Sequence, residues 1–232
     1  MGLLTSEGEM TRILTDKQIK QALNAGTITI DPFDERFLSP ASYDLRVGTE
    51  AFSSTHRERI NLREKGLIIL EPGDFIIVIT LESLRLSLKH AGRIGIRSHF
   101  TRRGIIPLTG PQVDPGFEGA LHIGLYNVSP NDIVLPFQEP IYTLELHELH
   151  EPAEKGYAGP FQRQRGISAQ EMEDLLGVRG MTFAEVLKVL GALGSDVKIL
   201  TKTIRTMQWV MGIGFGILSL FVAIVGVILA IR

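Results

Sequence analysis

The chain has 232 residues, 25.6 kDa and no cysteine, which allows one well-buried domain of about 150 residues plus an appendage. With 24 basic and 26 acidic residues its formal net charge is −2, so nucleic acid is not an expected partner. Zero cysteine excludes disulfides and any zinc site built on paired cysteines, including that of the common nucleobase deaminases.

The opening MGLLTSEGEMTR lacks the apolar stretch of a signal peptide. Thr15-Asp-Lys-Gln18 is a capping box, Ile19, Ala22 and Leu23 share a face, and Gly26 stops this first predicted helix. Strand-like runs follow at Ile28–Ile30, Gly66–Leu70, Phe75–Leu81, Ile94–Ile96, Leu121–Tyr126, Ile133–Leu135 and Ile141–Leu146. Turn signals such as Pro72-Gly73, Pro115-Gly116 and Pro130-Asn131 separate them, the pattern of an antiparallel sandwich or barrel. No GxGxxG, P-loop, GxSxG or HExxH sequence is present. His147-Glu-Leu-His150 looks like a metal pair but has no third ligand beside it, so no protein metal site is expected.

A second capping box, Ser168-Ala-Gln-Glu171, starts a helix through Leu176, and Gly177 and Gly180 punctuate the chain after it. From Thr182-Phe-Ala-Glu185 onward, Phe183, Val186, Leu190, Leu193, Val197, Leu200, Ile204, Met207 and Met211 recur at alternating spacings of 3 and 4. That is a heptad seam, which buries itself against other copies, although Gly191 and Gly194 weaken it and leave a break near Gly194-Ser195 open.

Between Arg205 and Arg232 there is no charged residue, and the 22 residues from Val210 to Ile231 make a helix of roughly 33 Å against a hydrocarbon core of about 30 Å. A membrane span over 206–232 is therefore predicted, with Trp209 at headgroup level and Gly212 and Gly216 as a weak helix-pairing motif. Basic residues gather before the run, which predicts a single-pass, tail-anchored protein of the cell membrane with its N-terminal domain in the cytoplasm and the lipid bilayer as a partner.

Four segments in order carry a resemblance. They are Ile13–Gln21 through Ile30-Asp-Pro-Phe-Asp34 to Pro40-Ala-Ser-Tyr-Asp-Leu-Arg-Val-Gly48; Glu71-Pro-Gly-Asp-Phe75 through Glu82; Gly95-Ile-Arg-Ser-His-Phe-Thr-Arg-Arg-Gly104; and Val113-Asp-Pro-Gly-Phe-Glu-Gly119 closing with Tyr126-Asn127. A weaker fifth is Gly159–Gly166, similar to a glutamine-bearing tail that closes over nucleotide. Together they resemble the dCTP deaminase/dUTPase superfamily, the first three most of all its dCTP deaminase branch. The resemblance implies a mainly β subunit, a distorted β-barrel or jelly roll of the dUTPase-like fold, over residues 1–166. A helical linker and stalk (167–205) and the predicted span (206–232) lie outside it. It also implies a homotrimer with three sites at subunit interfaces and a deoxynucleoside triphosphate as ligand.

Residue by residue, the resemblance makes Arg97 and Ser98 phosphate binders and Arg102 a further one. A guanidinium gives paired contacts to an anion and the hydroxyl adds a donor. Gln164 matches the tail glutamine that reaches the phosphates, and Gln112 stands where the deaminase branch has an arginine. Asp114 matches the aspartate that orients a hydrolytic water in the dUTPase branch, with Mg2+ carried on the triphosphate. Phe117 takes the place of the ring that packs on the sugar and excludes a 2′-hydroxyl, and Asp44 is either an acid supporting the site from behind or a structural residue at a strand end.

The departure from the family falls at Gly124, where deaminases carry the glutamate that shuttles a proton to the base. Such a group is worth about 10²–10⁴-fold in rate. Glu118 and His122 are not obvious replacements. The sequence thus favours hydrolysis of dUTP or a related nucleotide to the monophosphate and pyrophosphate. It leaves open a catalytically inactive sensor that couples nucleotide binding to the membrane, and a dCTP deaminase whose acid/base has been replaced.

Overall fold

The computed structural model describes residues 11–168, 172–173 and 183–230. Two compact units divide the chain, 1–184 and 185–232. The first unit holds thirteen strands among the described residues: β1 (Arg12–Ile13), β2 (Ile28–Asp31), β3 (Leu38–Ser39), β4 (Ser42–Ser53), β5 (Glu58–Asn61), β6 (Leu67–Leu70), β7 (Phe75–Leu86), β8 (His90–Ile96), β9 (Ile105–Pro107), β10 (Gln112–Val113), β11 (Glu118–Asn127), β12 (Ile133–Pro136) and β13 (Pro140–Glu148). Three short α-helices, α1 (Asp16–Asn24), α2 (Leu62–Lys65) and α3 (Ser98–Arg102), and a turn of 3-10 helix at Glu35–Phe37 join them.

The main sheet runs β10-β8-β13-β4-β7-β11-β9, with β1 on β13, β2 on β7, and β3 and β5 on β4; β12 and β6 form a separate pair. The strand pairs are antiparallel, and the sheet curls around one core, as the expected mainly β architecture requires. The curl comes from long strands that change partners. β4 pairs with β13 along its first half and with β5 and β7 along its second, and its register to β7 shifts between Val47 and Ala51. Such a shift bends a strand and increases its twist. Alternating inward residues of these strands, among them Tyr43, Leu45, Ile76, Leu84, Tyr142 and Leu144, are buried together. At the start, the Thr15 backbone N–H donates to Gln18 Oε1 at 3.0 Å, closing the predicted capping box and seating Ile19 and Ala22 on the core.

One buried ion pair fixes β4 to β7. Arg46 Nε donates to Glu82 Oε1 at 2.6 Å and the Arg46 backbone N–H donates to Glu82 Oε2 at 2.9 Å. Burial pushes the Glu82 carboxyl up, and the bonds from Arg46 oppose it.

The second unit is one long helix, α4 (Phe183–Ala230), unbroken at Gly191 and Gly194. Of the helix predicted over 168–176, only Ser168 and the helical Met172–Glu173 belong to the described residues. The expected membrane span is not found: among the described residues no helix is long and apolar enough to cross a membrane. Asp196, Lys198, Lys202 and Arg205 stand in the first half of α4. Most side chains beyond Ile217 lie outside the described residues. The bilayer partner, the tail-anchored membrane location and the cytoplasmic orientation, which all rested on that span, fall with it.

Candidate functional site

A cavity of about 430 Å³ opens between β7, β8 and β11. Its walls are mostly apolar: Phe75, Ile77, Ile94, Leu108, Val113, Phe117 and Leu121, with Tyr157 and Phe161 from the segment after β13. The polar groups on it are Thr109, Gln112, Asp114, His122 and Gln164, and among these described lining residues Asp114 is the one carboxylate.

The turn that carries Asp114 follows from its sequence. Pro115 and Gly116 occupy its centre, Gly116 takes φ +78°, and the Phe117 N–H donates to the Asp114 carbonyl at 3.2 Å. Proline then a positive-φ glycine is the pattern of a type II turn. Gly116 is doubly constrained, because a Cβ there would stand 2.7 Å from the Gly156 Cα. The turn presents the Asp114 carboxylate at the cavity, where Gln112 Nε2 donates to its Oδ1 at 2.5 Å. Phe117 is buried, and its ring meets Tyr157 edge to face at 5.7 Å.

The later segment is strapped onto the start of β11. Arg163 N–H donates to the Glu118 carbonyl at 2.6 Å and Ala120 N–H to the Gln164 carbonyl at 3.0 Å. Gln164 Nε2 donates to the Ala120 carbonyl at 2.8 Å, and Gln162 Nε2 to the Gly116 carbonyl at 2.9 Å. The strap comes this close only because residue 119 is glycine. Its φ is +140°, and a Cβ would lie 2.9 Å from both N and O of Gln164. The strap in turn sets Phe161 6.3 Å from the His122 ring.

Gly124 forms part of the cavity wall two residues beyond His122, on the same face of β11. A Cβ at 124 would lie 3.0 Å from the Leu108 carbonyl oxygen and 3.1 Å from Cε2 of Phe75. The Gly124 N–H donates to Thr109 Oγ1 at 2.6 Å, and Leu108 N–H donates to the Gly124 carbonyl at 2.8 Å. A Cβ at 124 would thus require Leu108 and the Phe75 ring to give by a few tenths of an ångström.

The remaining sequence-predicted residues stand elsewhere. Arg97 precedes α3, which the buried Phe100 anchors. Arg97 Nε lies 3.3 Å from Asp44 Oδ2, Arg97 Nη1 donates to the Pro140 carbonyl at 3.0 Å, and Thr143 Oγ1 donates to Asp44 Oδ1 at 2.8 Å. Arg102 Nη2 reaches Ser98 Oγ at 3.4 Å. The structure therefore gathers Arg97, Ser98, Arg102 and Asp44 in one group and Gln112, Asp114, Phe117 and Gln164 in another. Val113 pairs with Gly92 on β8, so the register carries Asp114 to the level of Ala91, six residues from Arg97. Six residues of strand span about 20 Å. Sequence reasoning missed Thr109, Tyr157 and Phe161. The aromatic pair at 157 and 161 beside the glutamine segment was the available signal.

The model of the dCTP deaminase-like family matches residues 13–149. A dCTP deaminase of Thermococcus sibiricus is 35% identical over 150 residues, covering 65% of this chain and 91% of that protein. A dUMP-forming dCTP deaminase of Methanothermobacter thermautotrophicus is 30% identical over 174 residues, covering 67% of this chain and 88% of its own. The 2′-deoxycytidine 5′-triphosphate deaminase from Agrobacterium tumefaciens superposes with a TM-score of 0.52 at 20% identity, over 60% of this chain and 49% of that one, a likeness of fold.

Proposed function

This chain belongs to the dCTP deaminase-like family, and from that premise we propose that it binds a deoxynucleoside triphosphate and hydrolyses it between the α- and β-phosphates without deaminating the base. The observation that carries this reading is the pairing of a retained carboxylate, Asp114, with a glycine at 124. Deamination at the base needs a group that passes a proton from water to the ring. Gly124 has none, and a side chain there would start in tight contact with the Leu108 carbonyl at 3.0 Å and Phe75 at 3.1 Å.

Hydrolysis needs less. A water held by Asp114 gives its proton to that carboxylate as its oxygen attacks the α-phosphorus; the bond to the bridging oxygen breaks and pyrophosphate leaves. Phe117 supplies a flat wall for the sugar, and Gln112 and Gln164 are amide donors at the rim. Among the described residues no group of three His, Asp or Glu stands together to hold a metal ion. A magnesium ion carried by the triphosphate would need few protein ligands beyond Asp114, the carboxylate on this cavity, and would supply positive charge for the leaving pyrophosphate. Arg97, Ser98 and Arg102 bind the phosphates of a nucleotide seated on a neighbouring copy. Their separation of about 20 Å from Asp114 within one chain is the reason we read the active assembly as a homotrimer with composite sites. A second reading, binding without turnover, draws on the bond from Gln112 that already occupies one oxygen of Asp114.

The test is product analysis of the full chain with magnesium and dUTP, dCTP or dTTP. Pyrophosphate and a monophosphate with its base intact are expected, and Asp114→Asn should abolish them while nucleotide still binds. Binding without products favours the second reading, and a uracil product from dCTP overturns both.

A further inference from the structure

We propose that α4 is a self-association element, packing parallel and in register against the same helix of further copies of this chain. Leu190, Leu193, Val197, Leu200, Ile204 and Met207 form one stripe along it and are each between 53% and 60% exposed. Their spacing alternates strictly between 3 and 4, a period of 3.5. A straight α-helix drifts about 20° per heptad from that period, so only a partner that shares it stays in contact along the whole stripe. A second copy shares it by construction.

Charge points to the same occupant. Lys198, Lys202 and Arg205 occupy the side of the helix away from the stripe, so identical helices meet without opposing cations. The positions flanking the stripe are nearly all uncharged: Gly194, Thr201 and Gln208 on one side, Val189 and Thr203 on the other, with Asp196 the one exception among the described residues. The threonine hydroxyls are turned inward. Thr201 Oγ1 donates to the Val197 carbonyl at 2.8 Å and Thr203 Oγ1 to the Ile199 carbonyl at 3.0 Å. That leaves their methyl groups for a neighbour. Flanking charges are what select an unlike partner in such assemblies, and here they are all but missing.

The chain has no cysteine of its own, which makes the test clean. Full-length Val197→Cys, Ile204→Cys and, on the outer side, Lys198→Cys are prepared in reduced form and exposed to oxidised glutathione. The proposal expects both stripe variants to form covalent dimers at least tenfold faster than Lys198→Cys. An antiparallel pair can bring only one of positions 197 and 204 against its own copy, so cross-linking at only one of them overturns the parallel arrangement. Equal rates at all three positions, or none at any, overturn the proposal altogether. Nucleotide binding measured on the same variants reports separately on the cavity, so failure of one reading leaves the other standing.

Discussion

Asp44 Oδ2 lies 3.3 Å from Arg97 Nε, and the Pro140 carbonyl holds Arg97 Nη1 from another side. The guanidinium is therefore oriented before any anion arrives, with Nη2 outside both contacts. A hydrogen bond to a charged partner is worth about 1.5–3 kcal/mol, or roughly 10–100-fold in affinity. Arg97→Lys should weaken triphosphate binding by about that factor, since an ammonium cannot keep the Asp44 contact and reach a phosphate as a planar fork. Asp44→Asn should weaken it by less, with no charge lost from the phosphate group itself. Calorimetric Kd values at one fixed salt concentration decide both.

Restoring an acid at the strand should not restore deamination. Gly124→Glu drives its Cβ against the Leu108 carbonyl at 3.0 Å and the Phe75 ring at 3.1 Å. Overpacking of this kind costs about 1–3 kcal/mol. A lower midpoint in denaturant and no uracil product from dCTP are expected, and a uracil product from the single variant would show that the 108–109 segment gives way easily.

Gly119→Ala should detach the strap while leaving the sheet folded. A methyl at φ +140°, 2.9 Å from Gln164, is incompatible with the present path of residues 162–164. Faster amide hydrogen exchange at Arg163 and Ala120, whose N–H groups bond across this contact, is the expected signature. Unchanged protection at both would contradict the role given to this glycine.

His90 makes stability depend on pH. It is buried, its Nδ1 is 2.8 Å from Ser87 Oγ, and burial lowers its pKa from the ordinary 6.5, with Lys89 acting in the same direction and Glu148 against it. A depressed folded pKa means that the unfolded chain takes up the proton first. The contribution is whole above about 6.5 and is lost as pH falls through the lower folded value. Melting temperatures at pH 7 and pH 5 should differ by more in the parent chain than in His90→Gln. An equal difference in the two would dismiss the assignment.

Much of the fold was legible in local signals. The Thr15–Gln18 box formed as read, and the runs at Ile28, Phe75 and Ile141 became strands because their alternation matches a half-buried sheet. β4 was not read as a strand. Its register shift near Gly48 breaks the alternation, so a twelve-residue strand looks like two short fragments. The motif residues were legible individually, but their division into two groups was not. That depends on the pairing of Val113 with Gly92, a contact between segments 21 residues apart, which local sequence does not encode. The C-terminal apolar run illustrates the opposite error: composition alone suggested a bilayer, whereas no helix among the described residues has the apolar length to cross one.

The strap across Glu118–Ala120 bears on kinetics. Its backbone and glutamine bonds are closed within the folded subunit, so Tyr157 and Phe161 wall the cavity from the moment the chain folds. A ligand meets a finished recess instead of recruiting a loose segment around itself. Its capture should then follow a single exponential whose rate rises linearly with concentration, without the plateau that a rearrangement step imposes.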